Sequence, residues 1–136
     1  MYNNILVPVV FDHGDRANNA VAVAQKLLAA GGKLTLLHVI EELPSYASSY
    51  LPAGLHESHV KEALSKLDEI ARSVETECHI EIVQGHASSS ILDYSKSNGL
   101  DCVVIASHKP GLEDYFLGST AARVVRYAQC GVHILR

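Results

Sequence analysis

Asp101-Cys102-Val103-Val104-Ile105-Ala106-Ser107-His108-Lys109-Pro110-Gly111, with Phe116-Leu117-Gly118-Ser119-Thr120 just beyond it, sets the architecture. Cys102 to Ala106 is a short, wholly apolar run rich in β-branched residues. Such a run reads as a strand buried on both faces. It empties into a loop carrying Pro110 and Gly111, and Gly118-Ser119-Thr120 then opens a helix through Ala128. Strand, loop and helix in that order are the repeating unit of an α/β sheet.

The same unit recurs upstream. Ile5-Leu6-Val7-Pro8-Val9-Val10 is a second apolar strand, with Pro8 near the end where the chain leaves the sheet. A polar loop, Phe11 to Arg16, leads to an alanine-rich helix over Ala17–Ala30 that Gly31-Gly32 should stop. Leu34 to Ile40 is the next strand, followed by a long loop from Glu41 to Leu55. A helix starts near Glu57, with Val60, Leu64, Leu67, Ala71 and Val74 as its apolar stripe. His79 to Val83 alternates as a strand. Gly85-His86-Ala87 turns the chain into a helix capped by Ser88 or Ser89 and closed by Asn98-Gly99. Val132 to Leu135 is the last strand. The order β-α-β-α-β-α-β-α-β means a parallel sheet with helices on both faces. Ligands of such sheets bind beyond the carboxyl ends of the strands, where strand order reverses. That places the candidate site on the loops after strands one, two and four.

The chain has 136 residues, 48% hydrophobic and 19% charged, which suits one globular domain over 1–136. No run is apolar enough to span a bilayer, and the first residues lack a signal-peptide pattern. A net charge of −4 argues against nucleic acid or anionic membrane as partners. Cys78, Cys102 and Cys130 are odd in number and widely spaced, as expected of reduced thiols in the cytoplasm.

At the carboxyl end of strand four, a helix N-terminus offers free N–H groups and partial positive charge to a phosphate. Gly118 permits close backbone approach, Ser119 and Thr120 add hydroxyls, and His108 and Lys109 add charge. On local spacing alone the plainer reading is that Ser119 simply caps the helix.

Ile5-Leu6-Val7-Pro8-Val9, Leu36-Leu37-His38-Val39, Val83-Gln84-Gly85, Asp101 to His108, Leu117 to Ala128 and Gly131 to Arg136 resemble, in order, the blocks of the universal stress protein family. The resemblance covers essentially the whole chain. It implies a five-stranded parallel sheet in the order 3-2-1-4-5, the adenine nucleotide alpha hydrolase-like fold. It implies a homodimer paired through the last strand, and cover for that apolar edge is needed on physical grounds as well. One branch of the family binds ATP through the motif G-x2-G-x9-G-[ST]. Here Ala106 and Lys109 stand at the first two glycine positions. Eight residues, Pro110 to Leu117, separate Lys109 from Gly118, one fewer than the motif, while Gly118 and Ser119 match its end. The family's acid after strand one is Val10 here, with Asp12 two residues on. A lysine in place of glycine can block backbone approach or supply a charge to phosphate.

The resemblance therefore implies a dimeric stress-response protein binding ATP, with Mg²⁺ accompanying the nucleotide. Pro8, Val9 and Val39 would hold adenine, Asp12 would reach the ribose, and Ala106, Ser107, His108, Lys109, Gly118, Ser119 and Thr120 would cradle the phosphates. No general base or metal ligand stands out, so catalysis extends at most to slow hydrolysis or self-phosphorylation at Ser119 or Thr120. The alternative is a nucleotide-free dimeric interaction module, or a sensor whose long loop closes on another ligand. His56-Glu57-Ser58-His59 is one residue short of H-E-x-x-H, and no P-loop, nucleophile elbow or dinucleotide fingerprint is present. Arg123 and Arg126, three apart on the last helix, read as a solvated face with favourable C-terminal charge. Tyr46, Tyr50 and Leu51 in the long loop suit a lid or a dimer contact.

Overall fold

The computed structural model describes residues 1–11, 16–41, 54–107 and 118–136. Its elements are β1 (Tyr2–Pro8), α1 (Arg16–Leu27), β2 (Leu28–Ile40), α2 (Leu55–Ala71), β3 (Glu77–Gln84), α3 (Ala87–Ser97), β4 (Cys102–Ala106), α4 (Ser119–Tyr127) and β5 (Gly131–Leu135). The strands form one sheet in the order β3-β2-β1-β4-β5, with every pairing parallel. Among the described residues no helix is long and apolar enough to cross a membrane.

The apolar runs explain the layering. β1 and β4 are central and must bury both faces, so their residues divide alternately between two cores. Ile5, Val7, Leu34, Leu36, Cys102 and Val104 meet Ala20, Val21 and Ala24 of α1 and Leu67 of α2. Leu6, Leu37, Val103 and Ile105 meet Ile91 of α3 and Ala121 and Val124 of α4. The order reverses between β1 and β4, which fixes the switch point there. β3 alternates exposed and half-buried residues over its first six positions, as its edge place requires.

Three local expectations change. The segment 28–32 belongs to β2, and α1 ends at Leu27, before Gly31-Gly32. Tyr2 pairs with Leu28 and Asn4 with Lys33, so β1 advances two residues while β2 advances five. Gly31, at φ +78°, lies within the excess, where a side chain would be strained. On α2, Leu64 is 41% exposed and Ala63 takes the buried place beside Leu67. α3 is capped by His86 rather than by Ser88 or Ser89, and Ser88 Oγ instead bonds His86 Nδ1 at 3.1 Å. The Asn98-Gly99 stop of α3 is as expected.

Cys102 is buried in the core, and burial pushes its thiol up to about 11 from 9.0, with Cys130 and Asp101 adding to the rise. The folded chain therefore keeps a proton that the unfolded chain loses first. Below pH 9 the thiol contributes no pH dependence; from about 9 to about 11 stability falls as pH rises. Denaturant midpoints across pH 8–11 check this, and Cys102→Val is expected to flatten that part of the profile.

Candidate functional site

The carboxyl ends of β1, β2 and β4 meet along one edge of the sheet, and the described site residues lie there. Pro8 ends β1, opposite Leu37. The Val9 N–H donates to the Leu37 carbonyl at 2.8 Å, and the Val9 carbonyl accepts from His38 Nδ1 at 2.9 Å. Both backbone groups of Val9 are thus engaged within the protein, which takes its N–H out of the expected adenine contact. His38 carries its proton on Nδ1, because a carbonyl can only accept. The Leu37 carbonyl faces β1, and the Ile40 carbonyl faces β3, where it accepts from the Gly85 N–H at 3.0 Å. By strand alternation the N–H and C=O of Val39 face β1, beyond the last ladder bond. Val39 is therefore the residue at this edge whose backbone faces the switch point.

An open cavity of about 300 Å³ starts at Val39 and runs toward α2. Phe11 and His38 form its floor, with ring centroids 4.6 Å apart. The Lys66 ammonium lies 5.1 Å from the Phe11 ring and pairs with Glu62 at 3.2 Å. His59 and Glu41 complete the rim. The sequence reading did not single out Phe11, His38, Glu62 or Lys66 as site residues. The available signal was a histidine inside an otherwise apolar strand.

The phosphate side lies on the opposite face, over β4. The Ser107 N–H donates to the Leu135 carbonyl of β5 at 2.9 Å, and the Ser107 carbonyl accepts from the Gly118 N–H, also at 2.9 Å. A Cβ on Gly118 would lie 2.7 Å from that carbonyl oxygen, so the glycine is dictated by the protein's own backbone. Gly118 is the N-cap of α4 and Ser119 its first helical residue; no side chain caps this end. The expectation that Ser119 caps the helix is thereby corrected, and the first-turn N–H groups face outward. Ser119 is exposed and Thr120 half-buried. Ser107 is 6% exposed, and its Oγ has no hydrogen-bond partner among the described residues. A buried hydroxyl without a partner is costly, and a ligand oxygen at this edge would satisfy it. Ala106 closes β4 opposite Leu135 and carries a Cβ where the motif has glycine.

Asp12, His108 and Lys109 lie outside the described residues, as do Tyr46, Tyr50, Leu51 and the loop around Pro110 and Gly111. His56 and His59 are exposed on α2, and among the described residues no three His, Cys, Asp or Glu side chains gather as a metal site.

The profile of the Universal stress protein family matches residues 1–136. The chain belongs to this family. It is 33% identical to Universal stress protein A homolog 2 of Coxiella burnetii over 141 residues, covering 99% of this chain and 95% of that one. Hypothetical protein MJ0577, whose biochemical function was assigned from its structure, superposes with a TM-score of 0.82 at 25% identity, covering 99% of this universal stress protein and 96% of that chain. The universal stress protein from Archaeoglobus fulgidus in complex with dAMP shares the fold, with a TM-score of 0.73 at 20% identity over 99% and 98% of the two chains.

Proposed function

We propose that this universal stress protein binds an adenine nucleotide, ATP with its Mg²⁺, as a regulatory or sensing homodimer in the cytoplasm. The observation that carries the reading is the buried Ser107 hydroxyl, without a partner among the described residues, beneath the N-terminus of α4, which no side chain caps. The donor set there is what a phosphate requires: backbone N–H groups at the positive end of a helix, with the Ser107, Ser119 and Thr120 hydroxyls close by. The base would rest on the other side of β1, against the outward backbone of Val39 and the cavity floored by Phe11. The strands β2 and β4 stand about 10 Å apart, two strand spacings. A nucleoside and its phosphates can bridge that distance over the end of β1. The dAMP held by the related Archaeoglobus protein supports an adenine nucleotide as the ligand class. Pairing through the β5 edge would supply the dimer and cover the half-buried Val132 and Ile134.

Ala106 and Lys109, in place of two motif glycines, favour a second reading, a dimeric interaction module without nucleotide. Calorimetric titration with ATP and Mg²⁺, using AMP as control, separates the two. Clear ATP binding that weakens for AMP is expected. No heat and no thermal shift at millimolar ATP would leave the interaction module as the function.

A further inference from the structure

At the amino-end side of the sheet, away from the nucleotide edge, the last turns of α3 and α4 enclose a second open cavity of about 310 Å³. Leu92, Leu100 and Ala128 give it an apolar floor, and Lys96, Asp93 and Tyr127 stand at its walls. Tyr127 is 56% exposed. Its ring holds two guanidinium groups close, Arg123 at 5.8 Å and Arg126 at 5.7 Å from the centroid. Val125, on the same helix, is 45% exposed.

Among the described residues, Lys33, Lys66 and Arg72 each pair with a carboxylate, whereas Lys26, Lys61, Lys96, Arg123 and Arg126 do not. Three of these five gather here: Lys96 lines the groove, and Arg123 and Arg126 flank Tyr127 at its wall, against the carboxylate of Asp93. Lys96 and Arg126 sit in the last turns of their helices, where they complement the helix dipole. That role accounts for neither Arg123, in mid-helix, nor the open tyrosine, nor the apolar floor. Arginine on an exposed aromatic ring beside an apolar pocket is the composition of a binding hot spot.

We infer that the α3–α4 groove docks an acidic peptide segment of a partner protein, with carboxylates on Lys96, Arg123 and Arg126 and an apolar side chain between Leu92 and Leu100. The charge pattern decides the class. A phosphate backbone would meet repulsion from the chain's net negative charge. A short acidic segment is governed by the local balance, in which Lys96, Arg123 and Arg126 outnumber Asp93, the one carboxylate of the lining. The groove is remote from Ser107 and Gly118, so this docking does not depend on the nucleotide reading.

The test uses a fluorescein-labelled peptide alternating glutamate with leucine, and its lysine counterpart, by fluorescence anisotropy at low and high salt. The acidic peptide is expected to bind the full chain, to weaken as salt rises, and to lose on the order of tenfold in affinity on Arg123→Glu with Arg126→Glu. Tyr127→Ala provides a second variant, expected to weaken binding without a change of charge, with circular dichroism confirming the fold. The inference is overturned by equal binding to the wild type and the charge-reversed protein, or by no binding at low salt. It is equally overturned if duplex DNA binds more tightly than the peptide, or if charge reversal only dissociates the dimer, which would assign the groove to a second copy.

Discussion

Gly118→Val is expected to remove ATP binding while the protein still folds. The added Cβ would lie 2.7 Å from the Ser107 carbonyl oxygen, a backbone atom that cannot swing aside. Either the α4 N-terminus or the end of β4 must move, and the 2.9 Å bond between Gly118 N–H and Ser107 C=O is the first to break. The phosphate would then lose two or three oriented N–H donors. At about 1 kcal/mol each, that is roughly a hundredfold in affinity. The strain should also lower stability by about 1–3 kcal/mol, so binding is measured well below the melting temperature. Ser119→Ala in the same turn adds no atom and removes one exposed hydroxyl, for which a loss of about two- to tenfold is expected. Titration of both variants with ATP checks the contrast. Wild-type affinity in Gly118→Val would mean that phosphate is not held at this helix.

Asp101→Ala is expected to produce the largest loss of stability from a single polar side chain. Asp101 precedes β4, and its two carboxylate oxygens accept from the backbone N–H groups of Asn3 and Asn4 at 2.9 and 3.0 Å. Its own N–H donates to the Asn4 carbonyl at 2.9 Å, and its carbonyl accepts from the Gly131 N–H at 3.2 Å. One residue thus fastens the amino ends of β1, β4 and β5. Alanine leaves the backbone bonds but removes both acceptors; the part-buried Asn4 N–H loses its partner while the exposed Asn3 N–H turns to solvent, at a cost of about 1–3 kcal/mol. For a chain of this size the melting temperature should fall by about 5–10 °C. Asp101→Asn keeps one acceptor and loses the charge, so an intermediate value is expected. A change within 2 °C for alanine, by thermal denaturation, would show that solvent replaces the carboxylate at no cost.

Much of this architecture is legible in residue order because it rests on periodicity. Cys102 to Ala106 and Ile5 to Val7 are apolar throughout because central parallel strands bury both faces, and β3 alternates because it lies at an edge. What escapes such reading is decided by backbone partners distant in sequence. Leu28, Ala29 and Ala30 favour a helix locally, yet β2 begins at Leu28, opposite Tyr2. The serines at 88, 89 and 119 favour N-caps, yet His86 and Gly118 occupy those positions. The site divides the same way. Gly118 and Val39 could be located from the motif and the strand ends. The engagement of Val9 by Leu37 and His38, and the burial of the Ser107 hydroxyl, depend on which strand ends lie side by side, and no local pattern encodes that.

The central strand is also the first to be made. β1 finds one neighbour in β2 soon after, but its carboxylate clamp on Asn3 arrives 98 residues later in the chain. At about 5–20 residues per second, a ribosome needs roughly 5–20 s to deliver it. Throughout that interval one side of β1 offers unpaired backbone and the apolar run Ile5 to Pro8 to any passing strand. Yield during rapid overproduction should therefore depend on how well nascent chains are shielded, more than on the stability of the finished fold.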